Sequence, residues 1–117
     1  MMTVKLTAPI QTYMDSINGN DLTAIDRCMA VDVHVHDIGE KKHINGIEAV
    51  KKWRGGSNNE FQLKSEVTAV EENHGITAVT SITRGNFPGS PQIFYYHFSV
   101  EDGLITNIEI VPGKENV

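Results

Sequence analysis

A single cysteine, Cys28, excludes any disulfide within this 117-residue chain. The fold must therefore rest on its core, and a reducing, cytoplasmic setting is expected. No apolar run approaches the ~20 residues that span a bilayer, so no membrane is expected as partner. The opening residues Met1–Lys5 lack the charged-then-apolar pattern of a secretion signal. Basic charge is also short: 10 Lys and Arg stand against 15 Asp and Glu, a net charge of −5. That balance argues against a nucleic-acid backbone or an anionic membrane surface. Lys51, Lys52 and Arg54 form a small basic cluster that reads as a solvated helix face. Repeats, linkers and low-complexity stretches are missing as well. What remains is ordinary for one globular domain over 1–117, with 39% hydrophobic and 21% charged residues.

The first half of the chain has a helical period. Thr7 can cap a helix that has Pro9 in its first turn, with Ile10, Tyr13, Met14 and Ile17 as one apolar stripe. Asn18-Gly19-Asn20 should end it. Asp21 should cap a second, short helix that turns Leu22, Ile25 and Met29 inward. Gly46 to Trp53 read as a third helix, stopped by Gly55-Gly56-Ser57-Asn58-Asn59. From Glu60 the period becomes two. Strands are expected from Phe61 to Thr68, from Ile76 to Arg84 with Ala78, Thr80 and Ile82 on one face, and from Gln92 to Val100 with Phe94, Tyr96 and Phe98 on one face. Glu101-Asp102-Gly103 is a hairpin turn, and Leu104 to Val111 close the sheet before Pro112-Gly113. Helices followed by an antiparallel meander indicate an α+β domain. The expected architecture is a cone-shaped roll with three helices packed in a strongly curved, mostly antiparallel sheet. Phe61, Leu63, Val67, Ala78, Ile82, Phe94, Phe98, Ile108 and Ile110 should line its concave side, and such a cone is a natural small-molecule pocket.

Asp37 is the most informative single residue. In the extended run Val33-His34-Val35-His36-Asp37 it shares a face with two valines, and His34 and His36 take the other. A carboxylate at the end of an apolar stripe is desolvated, which raises its pKa toward the range a general base needs. The alternative is that Asp37 merely opens the loop at Ile38-Gly39. Tyr13 and Tyr96 both fall on apolar faces, and two buried phenols need hydrogen-bond partners. Converging with Asp37, they would make one base facing two neutral donors; otherwise they are core aromatics.

The arrangement resembles the nuclear transport factor 2-like superfamily, with its SnoaL-like polyketide cyclases and ketosteroid isomerases. The carrying residues are Tyr13-x4-Asn18-x2-Asp21-Leu22, Met29-Ala30-x-Asp32, Val35-His36-Asp37, Gly46-x6-Trp53 and Phe98-Ser99-Val100-Glu101-Asp102-Gly103-Leu104-Ile105. The spacing is most similar to bacterial ketosteroid isomerases, with no gap from Tyr13 to Trp53. That resemblance implies Tyr13 as oxyanion donor, Asp37 as the base that shuttles the proton, and Trp53 as an aromatic wall. In those enzymes a second acid stays protonated because its apolar site disfavours the charge. Its position is taken here by Tyr96, whose phenol can donate the same hydrogen bond.

The function expected is therefore cofactor-free proton transfer, an isomerisation or aldol-type cyclisation, on a hydrophobic carbonyl compound. Asp37, Tyr13 and Tyr96 are the candidate catalytic residues. Trp53, Met14, Ile17, Phe61, Leu63, Phe94, Phe98 and Ile108 are the candidate substrate contacts. A non-catalytic binding protein, a dimerisation module and a dehydratase-type lyase are the alternatives. The lyase would need His97, whose parity opposes that of Tyr96, turned inward. His34 and His36 share a face but have no evident third ligand, so no metal and no organic cofactor is expected. A homodimer is expected through the convex face, on which Val70, Val79, Ile93, Tyr95, Ile105 and Val111 should lie.

Overall fold

The computed structural model describes residues 6–19 and 21–116, with the side chains of 57–61 and 114–116 outside the described set. Helix α1 (Ala8–Gly19) and the short α2 (Thr23–Cys28) lead into strand β1 (Met29–Asp37). Strand β2 (Lys42–Asn45), helix α3 (Ile47–Phe61), and strands β3 (Lys64–Asn73), β4 (Ile76–Arg84), β5 (Gln92–Glu101) and β6 (Leu104–Asn116) follow. The expected stripe of α1 is buried at Ile10, Tyr13, Met14 and Ile17. Asp21 Oδ1 accepts the Thr23 N–H at 3.1 Å, fixing the start of α2. The Asn18 side chain joins the end of α1 to the start of β3, donating to the Ser65 carbonyl at 2.8 Å and accepting the Ser65 N–H at 2.6 Å. Asn20, the last residue of the expected stop, lies outside the described residues.

The α+β character is as expected, but the strongly curved cone is not. The six strands form one sheet in the order β2-β1-β6-β5-β4-β3, open at β2 and β3 and neither closed nor strongly curled. It is also mixed: β1 pairs with β6 in parallel, Asp37 beside Ile110, while every other neighbour is antiparallel. The physical reason lies in the helices. α3 packs on β1 and β2 while α1 packs on β3 and β6, so they cover one face and leave the two edges apart. The core between helices and sheet holds Tyr13, Ile25, Val33, Val35, Val50, Val79, Phe98 and Ile108.

Several local expectations change as well. Helix α3 runs through Gly55 and Gly56 to Phe61 instead of stopping there. Gly55 is buried against α2, and a Cβ on it would stand 2.9 Å from Leu22 Cδ1, so the absent side chain permits the helix contact. Phe61 accordingly ends a helix rather than opening a strand, and its side chain is outside the described set. On β4 the inner face is Thr77, Val79, Ser81 and Thr83, which turns Ala78 and Ile82 outward. A bulge between Val67 and Ala69 brings Val70 to the core side, and one at Ser99/Val100 does the same for Ile105. Val70, Val79 and Ile105 therefore leave the outer-face set, where Ile93, Tyr95 and Val111 remain. β6 continues through Pro112 and Gly113 to Asn116.

Candidate functional site

A cavity of about 390 Å³ opens between α3 and the inner ends of β1, β4, β5 and β6. Its apolar wall includes Trp53, Leu63, Phe94, Ile110 and Pro112, and its polar groups are Asp37, Glu40, Arg54, Thr83, Gln92 and Tyr96. Asp37 is the last residue of β1, on the face of Val33 and Val35, and is 9% exposed. Burial raises its pKa above the usual carboxylate value. The Glu40 N–H, donating to Asp37 Oδ1 at 3.2 Å, works against that shift, whereas the neighbouring Glu40 carboxylate reinforces it.

Tyr96 is also where its parity placed it, on the inner face of β5 and in the cavity wall. Burial pushes its phenol well above the ordinary value, so it is a neutral O–H donor at physiological pH. Tyr13 is different. It is wholly buried, stands edge-on to Tyr96 and Phe98 with centroids 6.5 and 5.9 Å away, and is not part of the cavity wall. Its hydroxyl accepts a 3.0 Å hydrogen bond from Arg54 Nη1.

Arg54 is the residue that sequence reasoning missed. Far from being a solvated face, it is 5% exposed and lines the cavity. Its guanidinium lies over the Trp53 ring, 4.4 Å from the centroid, a cation–π contact. Burial opposes the cation, but Tyr13, Tyr96 and Asp37 outweigh it, so Arg54 stays charged. The signal was present in the spacing: Ile47, Val50 and Arg54 fall at i, i+3 and i+7, the buried stripe of α3. Glu40, in the turn between β1 and β2, is the other missed group.

Among the expected substrate contacts, Trp53, Leu63 and Phe94 line the cavity. Met14, Ile17, Phe98 and Ile108 lie in the core behind it. His97 sits on the opposite face, with Nδ1 3.6 Å from Glu109 Oε1. His34, His36 and His43 also lie on that face; His36 and His43 stack at 4.0 Å, and His34 Nε2 is 3.0 Å from His43 Nδ1. Among the described residues no group of three His, Cys, Asp or Glu side chains is placed to hold a metal ion.

Residues 10–108 match the family model described as a SnoaL-like domain. No curated protein matches the chain. A Sinorhizobium meliloti protein assigned as a polyketide cyclase is 27% identical, with a TM-score of 0.84 over 91% of this chain and 95% of its own. A Catenulispora acidiphila protein of ketosteroid isomerase-like fold is 13% identical, with a TM-score of 0.82 over 97% and 91% of the two chains. IdmH of Streptomyces antibioticus, also assigned as a polyketide cyclase, is 16% identical, with a TM-score of 0.76 over 92% and 91%. At these identities the last two carry the fold alone. With the model match covering most of the chain and the fold in agreement, the chain belongs to the SnoaL-like domain family.

Proposed function

We propose that this protein is an enzyme that moves a proton on a small hydrophobic carbonyl compound, with Asp37 as the base. The observation that carries this reading is a desolvated carboxylate in the wall of an apolar cavity that also presents a neutral phenol and a buried cation. The Asp37 carboxylate takes a proton from the carbon beside the carbonyl, and the electron pair moves to the carbonyl oxygen. The Tyr96 hydroxyl donates to that oxygen as it gains charge, and the Arg54 cation lowers the cost of the charge in a dry site. Tyr13 acts through Arg54 by accepting its Nη1–H. Asp37 then returns the proton, either to another carbon of the enolate, an isomerisation, or to the oxygen of a second carbonyl that the enolate has attacked, an aldol-type cyclisation. Atoms and electrons balance without a cofactor.

Deuterium incorporation into 4-phenyl-2-butanone in D2O tests the proton step without knowledge of the natural substrate. Asp37→Asn should slow the exchange by roughly 10²–10⁴-fold, the scale of a positioned general base. Equal exchange by the two proteins would overturn the reading. Because Asp37 must be ionised and its pKa is raised, the wild-type rate should climb with pH through a midpoint above the ordinary 3.8.

Self-association belongs to the same proposal. All three helices lie on the inner face of the sheet, and Ile93, Tyr95 and Val111 form a partly exposed apolar strip on the other, with Tyr95 paired to Val111. A dimer mass by light scattering at tens of micromolar is the expected result, and Tyr95→Glu should shift it to the monomer.

A further inference from the structure

The cavity wall holds more hydrogen-bond donors than the proton transfer uses. Arg54 spends Nη1 on Tyr13, yet its Nε is buried and has no hydrogen-bond partner. The neighbouring Trp53 Nε1 is buried and unpartnered in the same way. Both groups are donors only, so each calls for an acceptor. The two residues are adjacent on α3, stacked on one another, and both belong to the cavity wall.

Charge sharpens the requirement. A buried guanidinium with no carboxylate in hydrogen-bond contact is favoured by Asp37 only through space, which leaves its fork without a charged acceptor. Among the described residues, Arg54 forms no ion pair. The carboxyls that share the cavity wall are Asp37 and Glu40. Asp37 is held by the Glu40 N–H toward the β1–β2 turn, and Glu40 is exposed at the rim. Among the described residues no carboxylate is therefore left to pair with Arg54, and a ligand carboxylate, acceptor-only and planar, fits a guanidinium fork.

We propose that the ligand of this cavity is a carboxylic acid: an apolar body against Leu63, Phe94 and Ile110, and a carboxylate anchored on Arg54 with the Trp53 N–H beside it. This deepens the reading of the cavity as a small-molecule site and names its preferred substrate class, hydrophobic keto acids. The carboxylate meets Arg54, and the ketone oxygen is left to Tyr96. Tyr13 is then a positioning residue, since it touches the guanidinium and not the cavity.

Trp53 is the only tryptophan of the chain, so its fluorescence reports directly on this wall. Titration with 4-phenylbutanoate and with 4-phenylbutanamide, a pair matched in size and differing in charge, isolates the carboxylate. The acid should bind at least ~10-fold more tightly than the amide at neutral pH, the scale of a hydrogen bond to a charged group. Arg54→Met should bind the two equally, and Arg54→Lys should retain part of the preference. Tyr13→Phe should lower the preference for the acid. Equal affinity of the two probes for the wild type overturns the carboxylate anchor alone, and it does so without recourse to any variant. Binding of neither overturns the small-molecule reading of the cavity with it. Loss of ketone exchange in the Asp37→Asn protein bears on the base and not on this anchor, so the two failures are distinguishable.

Discussion

Asp37 carries a stability signature as well as a proposed chemical one. Burial raises its pKa in the folded chain, so the folded state holds the proton more tightly than the unfolded state does. The associated stabilisation is fully present below the ordinary value of 3.8 and is lost as pH rises through the higher, folded pKa. Asp37→Asn removes the ionisation while keeping an oxygen to accept the Glu40 N–H. It should therefore be more stable than wild type at pH 8, with the difference vanishing below about pH 4; urea titrations at both pH values measure this. A carboxylate whose ionisation lowers the stability of its own fold fits a working group better than a structural one. Cys28 makes the opposite case, since burial pushes its thiol up to about 11. It should resist alkylation at neutral pH until the chain is unfolded. At this scale the sequence was legible where alternation alone decided, as at Asp37 and Tyr96. Arg54 was hidden by its neighbours: Lys52 is exposed and Lys51 pairs with Asp26 and Glu48 at 3.0 Å each, so the cluster reads as surface although one member is turned inward.

At the scale of elements, glycine and mixed polarity account for most of what the sequence concealed. Two consecutive glycines ordinarily end a helix, yet α3 passes through both because Gly55 lets it approach Leu22 of the α2 start. Gly56 does nothing of the kind, with open space where a Cβ would be. Gly56→Ala should therefore stabilise the protein by about 0.5–1 kcal/mol, the ordinary helical preference. Gly55→Ala should gain less, because Leu22 must move. Gly113→Ala should cost about 1–3 kcal/mol, since its Cβ would lie 2.9 Å from Ile93 Cβ and 3.1 Å from the Ile93 carbonyl oxygen. Equilibrium unfolding of the three variants orders them. Strand β4 was misread because its inner face carries hydroxyls while its outer face carries Ile82. Ser81 and Thr83 share hydrogen bonds with Ser65 across the pair, which makes an inward polar row tolerable. Bulges in β3 and at the β5–β6 end then reversed the parity of Val70 and Ile105, and nothing in an alternating pattern announces a bulge.

For the whole molecule, the order of helices and strands was legible because helical and strand periods separate cleanly along this chain. The closure of the sheet was not, since it depends on which edges the helices leave free. Nor was the parallel neighbour of β1, a contact between distant parts of the chain. That pairing has a consequence for how the protein comes into being. Asp37 and Ile110 stand side by side in the register of β1 and β6, and both belong to the cavity wall. During synthesis Asp37 emerges long before the strand that walls it in, so a nascent chain ending short of β6 has an Asp37 side with no cavity to face. Pairing across so long a loop is slow to form and must wait for the final strand. Ligand binding and completion of the sheet should thus appear together, late, in refolding followed by Trp53 fluorescence, with no earlier species able to hold a ligand.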